Sequence, residues 1–249
     1  MFKKVKKTIK SLIKEENVKP QINTNADFTS EEHAIVSEVT PFTSTGPDRI
    51  ISLVNATKHI VKHNIEGVII ECGVWKGGSM MAILRTLKNL KVEDREVYLY
   101  DTFEGMSEPT AEDKSIRGES ALNAYNDDKD GWDKIIYYSS LDEVKENIAT
   151  IGYTSENVHY VKGKVEDTIS KDTLPDKIAL LRLDTDWYES TKHELEFLFP
   201  KLVSGGIIII DDYGHWEGCK KAVDEYFNKN NINIFLARID YTGRIGVKM

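Results

Sequence analysis

The sequence predicts an α/β fold: a doubly wound, mostly parallel sheet closed by a C-terminal antiparallel hairpin. Three observations predict it. Short apolar runs such as "GVIIECGV", "IALLRLD" and "GIIIIDD" read as strands buried on both faces. These runs alternate with segments of helical periodicity, the pattern of βαβ crossovers. The last two apolar runs, "INIFLARID" and "RIGVKM", are separated only by "YTG", a hairpin connection.

The elements follow in order. Phe2, Val5, Ile9, Leu12 and Ile13 recur at helical spacing among Lys3, Lys4, Lys6, Lys7, Lys10 and Lys14, a short basic amphipathic helix. Its first reading is a surface or oligomer-contact helix. Its second is a helix lying on an anionic membrane surface through residues 1–16. Residues 17–47 are rich in turn formers and wrap the core as loop and short helix, so a domain proper is expected over 48–249. Within it "DRIISLVNATKHIVKHNI" is a helix, "GVIIECGV" a strand, and "GGSMMAILRTLKNL" a helix opened by Gly-Gly-Ser. Then come strand "EVYLYDTF", helix "SLDEVKENIATIG", strand "NVHYVKGKV", helix "VEDTISK", and strand "IALLRLD". Helix "ESTKHELEFLFPKL", strand "GIIIIDD" and helix "GCKKAVDEYFNKN" lead to the hairpin. Residues 104–131 break the alternation with a long polar stretch just after a strand end. That is the place and length of a lid.

Composition narrows the function. A net charge of −8 argues against nucleic-acid binding. The two cysteines, Cys72 and Cys219, form neither a CxxC pair nor a disulfide framework, which suits a reducing cytoplasm. There is no apolar run long enough to span a membrane, and no signal peptide is expected. Peripheral contact at the inner membrane face is the one membrane role the basic N-terminus raises.

Two turns carry chemistry. In "IIECGVWKGGS" a strand meets a helix through Gly73, Gly77 and Gly78, with Ser79 at the helix start. The glycines allow close backbone approach, and the helix start offers N–H groups to an anion. The spacing is GxxxGG, not the dinucleotide GxGxxG. Glu71 can accept from an ammonium group, and Asp101, at the next strand end, can take two ribose hydroxyls. An ammonium, a carboxylate at a helix start and a ribose describe S-adenosylmethionine better than a nicotinamide dinucleotide.

The second feature is acid. "LRLDTDW" and "IIIIDDYGHW" place Asp184, Asp186, Asp211 and Asp212 at the ends of two buried strands. Ionised carboxylates there are expensive unless a cation meets them. A helix cap or a surface charge would explain any one of them; four at two strand ends point to a shared metal. His159 and His193 are expected to be structural or surface residues.

The motifs "IIECGVWKGGSM", "LYDTFEGM", "VKGKVEDTI", "LRLDTDWYEST" and "GGIIIIDDYGHWEGCKKAVDEY" resemble the macrocin O-methyltransferase family, in order, from about Asp48 to the C-terminus. The resemblance implies a class I methyltransferase Rossmann-like fold and S-adenosylmethionine as methyl donor. It also implies Mg2+ or another divalent cation that holds vicinal hydroxyls of a sugar acceptor, in a glycan, glycoside or polysaccharide precursor. Carried over by position, Asp184, Asp211 and Asp212 are the metal ligands and Asp186 the general base. His215 is the other candidate base, or a group that orients a ligand. The expected cofactor contacts are Glu71, Gly73, Val74, Gly77, Gly78, Ser79, Asp101, Thr102, Phe103, Lys164, Val165 and Asp184, with the adenine near Lys164 and Val165. Thr185 departs from the pattern, which has Gly in many relatives. A homo-oligomer is expected. Rival readings are a catechol-type methyltransferase using the same metal logic and a glycosyltransferase built on "DTD". A third is a degenerate S-adenosylmethionine-binding module. The lid, polar apart from Met106, Tyr125 and Trp132, argues against the first. The second leaves the Gly-rich turn and the Asp211–Asp212 pair unexplained. The intact acids argue against the third.

Overall fold

The computed structural model describes residues 26–127, 137–170 and 174–249. The basic N-terminal helix expected over residues 1–16 lies outside them, as do the last four residues of the expected lid. Trp132, just beyond it, lies outside as well. Among the described residues no helix is long and apolar enough to cross a membrane.

Seven strands form one sheet: β1 (Val68–Cys72), β2 (Val97–Asp101), β3 (Val158–Lys162), β4 (Ile178–Leu183), β5 (Leu202–Ile210), β6 (Ala237–Arg238) and β7 (Arg244–Val247). Their order is β3-β2-β1-β4-β5-β7-β6. The first five run parallel, and β7 pairs antiparallel with both β5 and β6. The doubly wound sheet with a terminal hairpin is therefore the observed fold. One strand is shorter than its sequence pattern: of "INIFLARID", only Ala237 and Arg238 pair, with Ile245 and Arg244 of β7.

The helices are α1 (Ser30–Val39), α2 (Pro47–Lys62), α3 (Gly78–Asn89), α4 (Ala121–Asp127), α5 (Leu141–Ala149), α6 (Val165–Thr168), α7 (Tyr188–Leu198) and α8 (Glu217–Lys229). Local sequence sets their starts. Thr29 and Glu32 form a reciprocal capping box for α1, and Pro47 sits in the first turn of α2. The expected helix at "VEDTISK" is a single turn, ended where Ile169 returns to extended backbone. The segment before residue 48 is not peripheral to the domain: Ile35 and Val39 of α1 are fully buried in the main core.

The isoleucine run shows how the strands work. Ile207 and Ile209 face the layer of α2, α3 and α5, with Ile69 and Leu180 beside them. Ile208 and Ile210 face the opposite layer of α7 and α8, with Ile70 and Leu181. Alternation along each strand thus feeds two cores. Each such side chain contributes about 1.5–3 kcal/mol by burial. Where the strand order reverses, β1 and β4 lie side by side and the chain leaves them in opposite directions. A crevice opens at their carboxyl ends.

Candidate active site

A cavity of about 420 Å³ occupies that crevice. One half is built from backbone. β1 is followed by Gly73, whose φ of 82° is open to glycine; a Cβ there would lie 1.9 Å from the backbone oxygen of Asp184. The glycine therefore lets the exits of β1 and β4 pass in contact. Asp101, at the end of β2, fastens the turn: its Oδ2 accepts from the N–H groups of Val74 at 2.6 Å and Trp75 at 3.2 Å. Its Oδ1 accepts from Phe103 N–H at 2.7 Å, pinning the second turn. Gly73, Val74, Ser79, Asp101, Thr102, Lys164 and Val165 line this half.

The other half is built from charged side chains. Asp184 follows β4, and Asp211 and Asp212 follow β5. The sheet ladder continues into them, with Asp184 N–H donating to Cys72 O and Asp211 N–H to Leu183 O, both at 2.9 Å. The three carboxylates offer oxygens that all lie within 4.8 Å of one another. Beneath them Arg182 of β4 is completely buried. Its Nη1 donates to Glu71 Oε1 at 2.7 Å, and its Nη2 reaches Asp184 Oδ2 at 2.7 Å and Asp211 Oδ1 at 2.9 Å. Arg49 of α2 bonds the other oxygen of Asp211 and lies 3.1 Å from Asp240.

The acids outnumber the arginines that meet them. Burial above all pushes Asp184 and Asp212 well above the usual carboxylate range, with neighbouring acids adding and Arg182 opposing. Burial, then Asp184 beside it, pushes Asp186 up to about 7. Glu71 is also raised to about 7 by burial despite its pairing with Arg182. Hard carboxylate oxygens from two adjacent strand ends, carrying more negative charge than two guanidiniums neutralise, fit a small divalent cation. Asp184 and Asp212 have the freer oxygens. Both oxygens of Asp211 already face arginines, so it would share one, as a carboxylate oxygen with two lone pairs can.

Asp186 sits on a strained turn. Its φ is +65°, unusual for a residue other than glycine, and Trp187 N–H donates back to Thr185 O at 2.7 Å. Trp216 Nε1 donates to Asp186 Oδ1 at 2.7 Å, and the Asp186 and Asp212 carboxyls hydrogen-bond each other. His215 lies farther along the wall. Its Nδ1 is 3.2 Å from Tyr241 Oη, and its ring stands edge-on to Trp216 at 4.8 Å. Burial and Arg117 lower its pKa, so it stays neutral near pH 7.

The segment after β2 closes over the acid half. Trp187 Nε1 donates to Ser107 O at 3.0 Å. The buried Asp113 accepts from Tyr188 N–H at 2.8 Å, capping α7, while its other oxygen takes Thr110 N–H and Oγ1. Ser115 bridges to Trp216, and Ile116 N–H donates to His215 O. From 104 to 121 the expected lid is a strap stitched to both acid-bearing loops. Met106 reaches the cavity.

The structure brings most of the sequence-predicted residues to this cavity and leaves four out of its lining. Glu71, expected to take an ammonium, is fully buried and does not line the cavity: its Oε1 pairs across the sheet with its register neighbour Arg182. Gly77 and Gly78 shape the helix start instead, Gly78 lying against the Phe42 carbonyl, where a Cβ would come within 2.6 Å. Phe103 is buried in the core. His159 stacks on Tyr98 and His193 bonds Ile169 O, both away from the site. Sequence reasoning missed Arg49, Arg182, Trp187 and Trp216. Arg182 was visible as the single charge inside "IALLRL", and the tryptophans as neighbours of the acids. Nothing local marks Arg49, which meets Asp211 from 162 residues away.

The chain as a whole is similar to known proteins. The family description "Macrocin-O-methyltransferase" fits residues 1–245. The demethyldecarbamoylnovobiocin O-methyltransferase of Streptomyces niveus is 32% identical over 222 residues, covering 89% of this chain and 78% of that protein. The mycinamicin III 3''-O-methyltransferase of Micromonospora griseorubida is 32% identical over 202 residues, covering 81% and 76%. Among solved structures, the O-methyltransferase NovP superimposes with a TM-score of 0.73 at 30% identity, over 84% of this chain and 82% of that one.

Proposed function

This chain belongs to the macrocin O-methyltransferase family, and on that premise we propose that it methylates a sugar hydroxyl with S-adenosylmethionine and a divalent cation, Mg2+ first. The observation that carries the proposal is the shared cavity: the glycine turn and Asp101 line one side, and Asp184, Asp211 and Asp212 cluster on the other. Asp184, Asp211 and Asp212 would hold the cation. When bound, the cation lowers the pKa of a coordinated hydroxyl, and the sulfonium supplies an electrophilic methyl group.

The chain's own residues do the rest. Asp101 keeps its carboxylate at the cavity while its backbone bonds hold the two turns, which sets the cofactor half without further movement. Asp186 accepts the hydroxyl proton; its Oδ1 is fixed by Trp216. Arg182 and Arg49 hold Asp211 from both sides, so the acid cluster is organised before an acceptor arrives. The strap from Ser107 to Ser115 is hydrogen-bonded across the acid half, where it would help to limit access of water once an acceptor is bound.

The test is calorimetry and turnover together. S-adenosylmethionine should bind with or without EDTA, whereas transfer of label from methyl-tritiated cofactor to a panel of methyl glycosides should disappear in EDTA and return with Mg2+. Equal turnover in excess EDTA would remove the cation from the proposal. A cofactor that does not bind would remove the donor.

A further inference from the structure

Glu194 is a residue the chemistry above does not use. It lies on α7, fully buried, and among the described residues it has no ion pair. Its Oε1 accepts from Thr185 Oγ1 at 3.0 Å, and apart from a thiol its Oε2 has no hydrogen-bond partner. The Cys72 thiol, itself buried, lies beside it. Burying a carboxyl group this way is costly compared with a leucine of similar size. Packing does not account for it. What Glu194 touches is the middle of the turn Asp184–Thr185–Asp186–Trp187.

That turn needs holding. Asp186 occupies the left-handed region at φ +65°, a conformation that persists in a non-glycine residue only when its surroundings determine it. The turn is anchored at its start by Asp184 N–H to Cys72 O and at its end by Trp187 Nε1 to Ser107 O. Between these anchors Trp187 N–H closes the turn on Thr185 O, and the Thr185 hydroxyl to Glu194 is the side-chain bond that ties the residue before Asp186 to α7. Without that tie Thr185 is held only through its backbone, Asp186 can return to negative φ, and its carboxylate can swing off the Trp216 N–H.

We propose that Glu194 is a positioning residue: through Thr185 it keeps Asp186 in its left-handed conformation, with the carboxylate aimed into the cavity. The inference rests on the reading of Asp186 as the base. Its effect on rate follows from misplacing a catalytic group, where about 1 Å can cost about 100-fold.

The experiment uses the full chain with Mg2+, S-adenosylmethionine and the methyl glycoside panel, and the variants Thr185→Val, Thr185→Ser, Glu194→Leu and Glu194→Gln. Thr185→Val and Glu194→Leu should each lower kcat by about 10- to 100-fold with cofactor affinity within twofold. Thr185→Ser and Glu194→Gln keep a donor and an acceptor and should recover most of the rate. The double variant Thr185→Val/Glu194→Leu should be no worse than either single one, because both break one bond. Crystal structures of Thr185→Val and Glu194→Leu give the second readout: Asp186 should leave positive φ. If Asp186 stays at positive φ in both variants, or if both retain kcat within twofold, the inference is overturned. A wild-type protein that methylates no glycoside would count against the proposed acceptor alone, and the Asp186 conformation would still decide this point. Should Glu194→Leu fail to fold, Thr185→Val alone carries the same decision.

Discussion

The two halves of the cavity are built on opposite principles. At the ends of β1 and β2 the contacts are backbone N–H groups gathered by one carboxylate, Asp101, around a glycine that no side chain could replace. At the ends of β4 and β5 they are side chains: acids crowded within reach of each other, two arginines beneath, and Asp186, the proposed base, on a strained turn. A site of backbone groups is complete when the chain folds. A site of like charges is complete only when something positive or a proton joins it, so the second half should respond to pH and metal and the first should not.

The largest expected effect separates the halves directly. Asp186→Asn keeps the shape and removes the proton acceptor, so kcat should fall about 10²–10⁴-fold with cofactor affinity unchanged. Asp101→Ala should do the reverse in kind: S-adenosylmethionine affinity should drop about tenfold or more, because the turns around Val74 and Phe103 lose their anchor along with any ribose contact. Steady-state kinetics and calorimetry on both variants check the pair. If Asp186→Asn weakened the cofactor while Asp101→Ala spared it, the assignment of the two halves would be exchanged.

The next effect is on stability. Glu71 and Asp186 are raised to about 7 in the folded protein, against about 4 in an unfolded chain. The folded state therefore binds the extra protons, and the stability these groups contribute is full below pH 4 and lost as pH rises through 7. Groups with lowered values, such as Glu32 and Asp240, lose stability only in acid below their ordinary range and do not enter this window. His215 runs the other way, but it is one part-exposed group. In EDTA the melting temperature should be lower at pH 8 than at pH 5.5 by at least about 3 °C, what ~1 kcal/mol makes in a domain of this size. Mg2+ should restore more at pH 8 than at pH 5.5, since at the lower pH it must compete with the protons that Asp184 and Asp212, both raised by burial, hold. A melting temperature that climbs steadily from pH 5.5 to 8 in EDTA would mean that the crowding is not felt.

The halves also differed in how far they could be read from the chain. Alternation of apolar runs with helical periodicity was enough for the parallel sheet and its hairpin, because strand burial and crossover geometry are local in sequence. The acids at the ends of "IALLRL" and "GIIIIDD" were legible for the same reason: a charge is conspicuous where every neighbour is buried. Pairing across the sheet was not legible. Glu71 looked like a ligand residue until the register of β1 on β4 set it opposite Arg182. Arg49 reached Asp211 from a helix that periodicity could place but not orient. The strain at Asp186 had no signature in "DTDW", since a left-handed aspartate and an ordinary one are spelled alike.

The smallest expected effect probes the proposed base without removing it. Trp216 donates Nε1–H to Asp186 Oδ1, a bond that favours the ionised carboxylate against the burial that disfavours it. Trp216→Phe keeps a ring where Trp216 packs edge-on against Trp187, with centroids 5.0 Å apart, and against His215. It removes only the donor. Asp186 should then hold its proton more tightly, and the acid limb of the kcat profile should move up by about one pH unit, the worth of a hydrogen bond to a charged group. With Mg2+ and cofactor saturating, turnover at pH 7 should fall a few-fold and converge on wild type above pH 9. An acid limb that stays in place would show that the indole serves packing alone, and that the burial of Asp186 sets its basicity without help from Trp216.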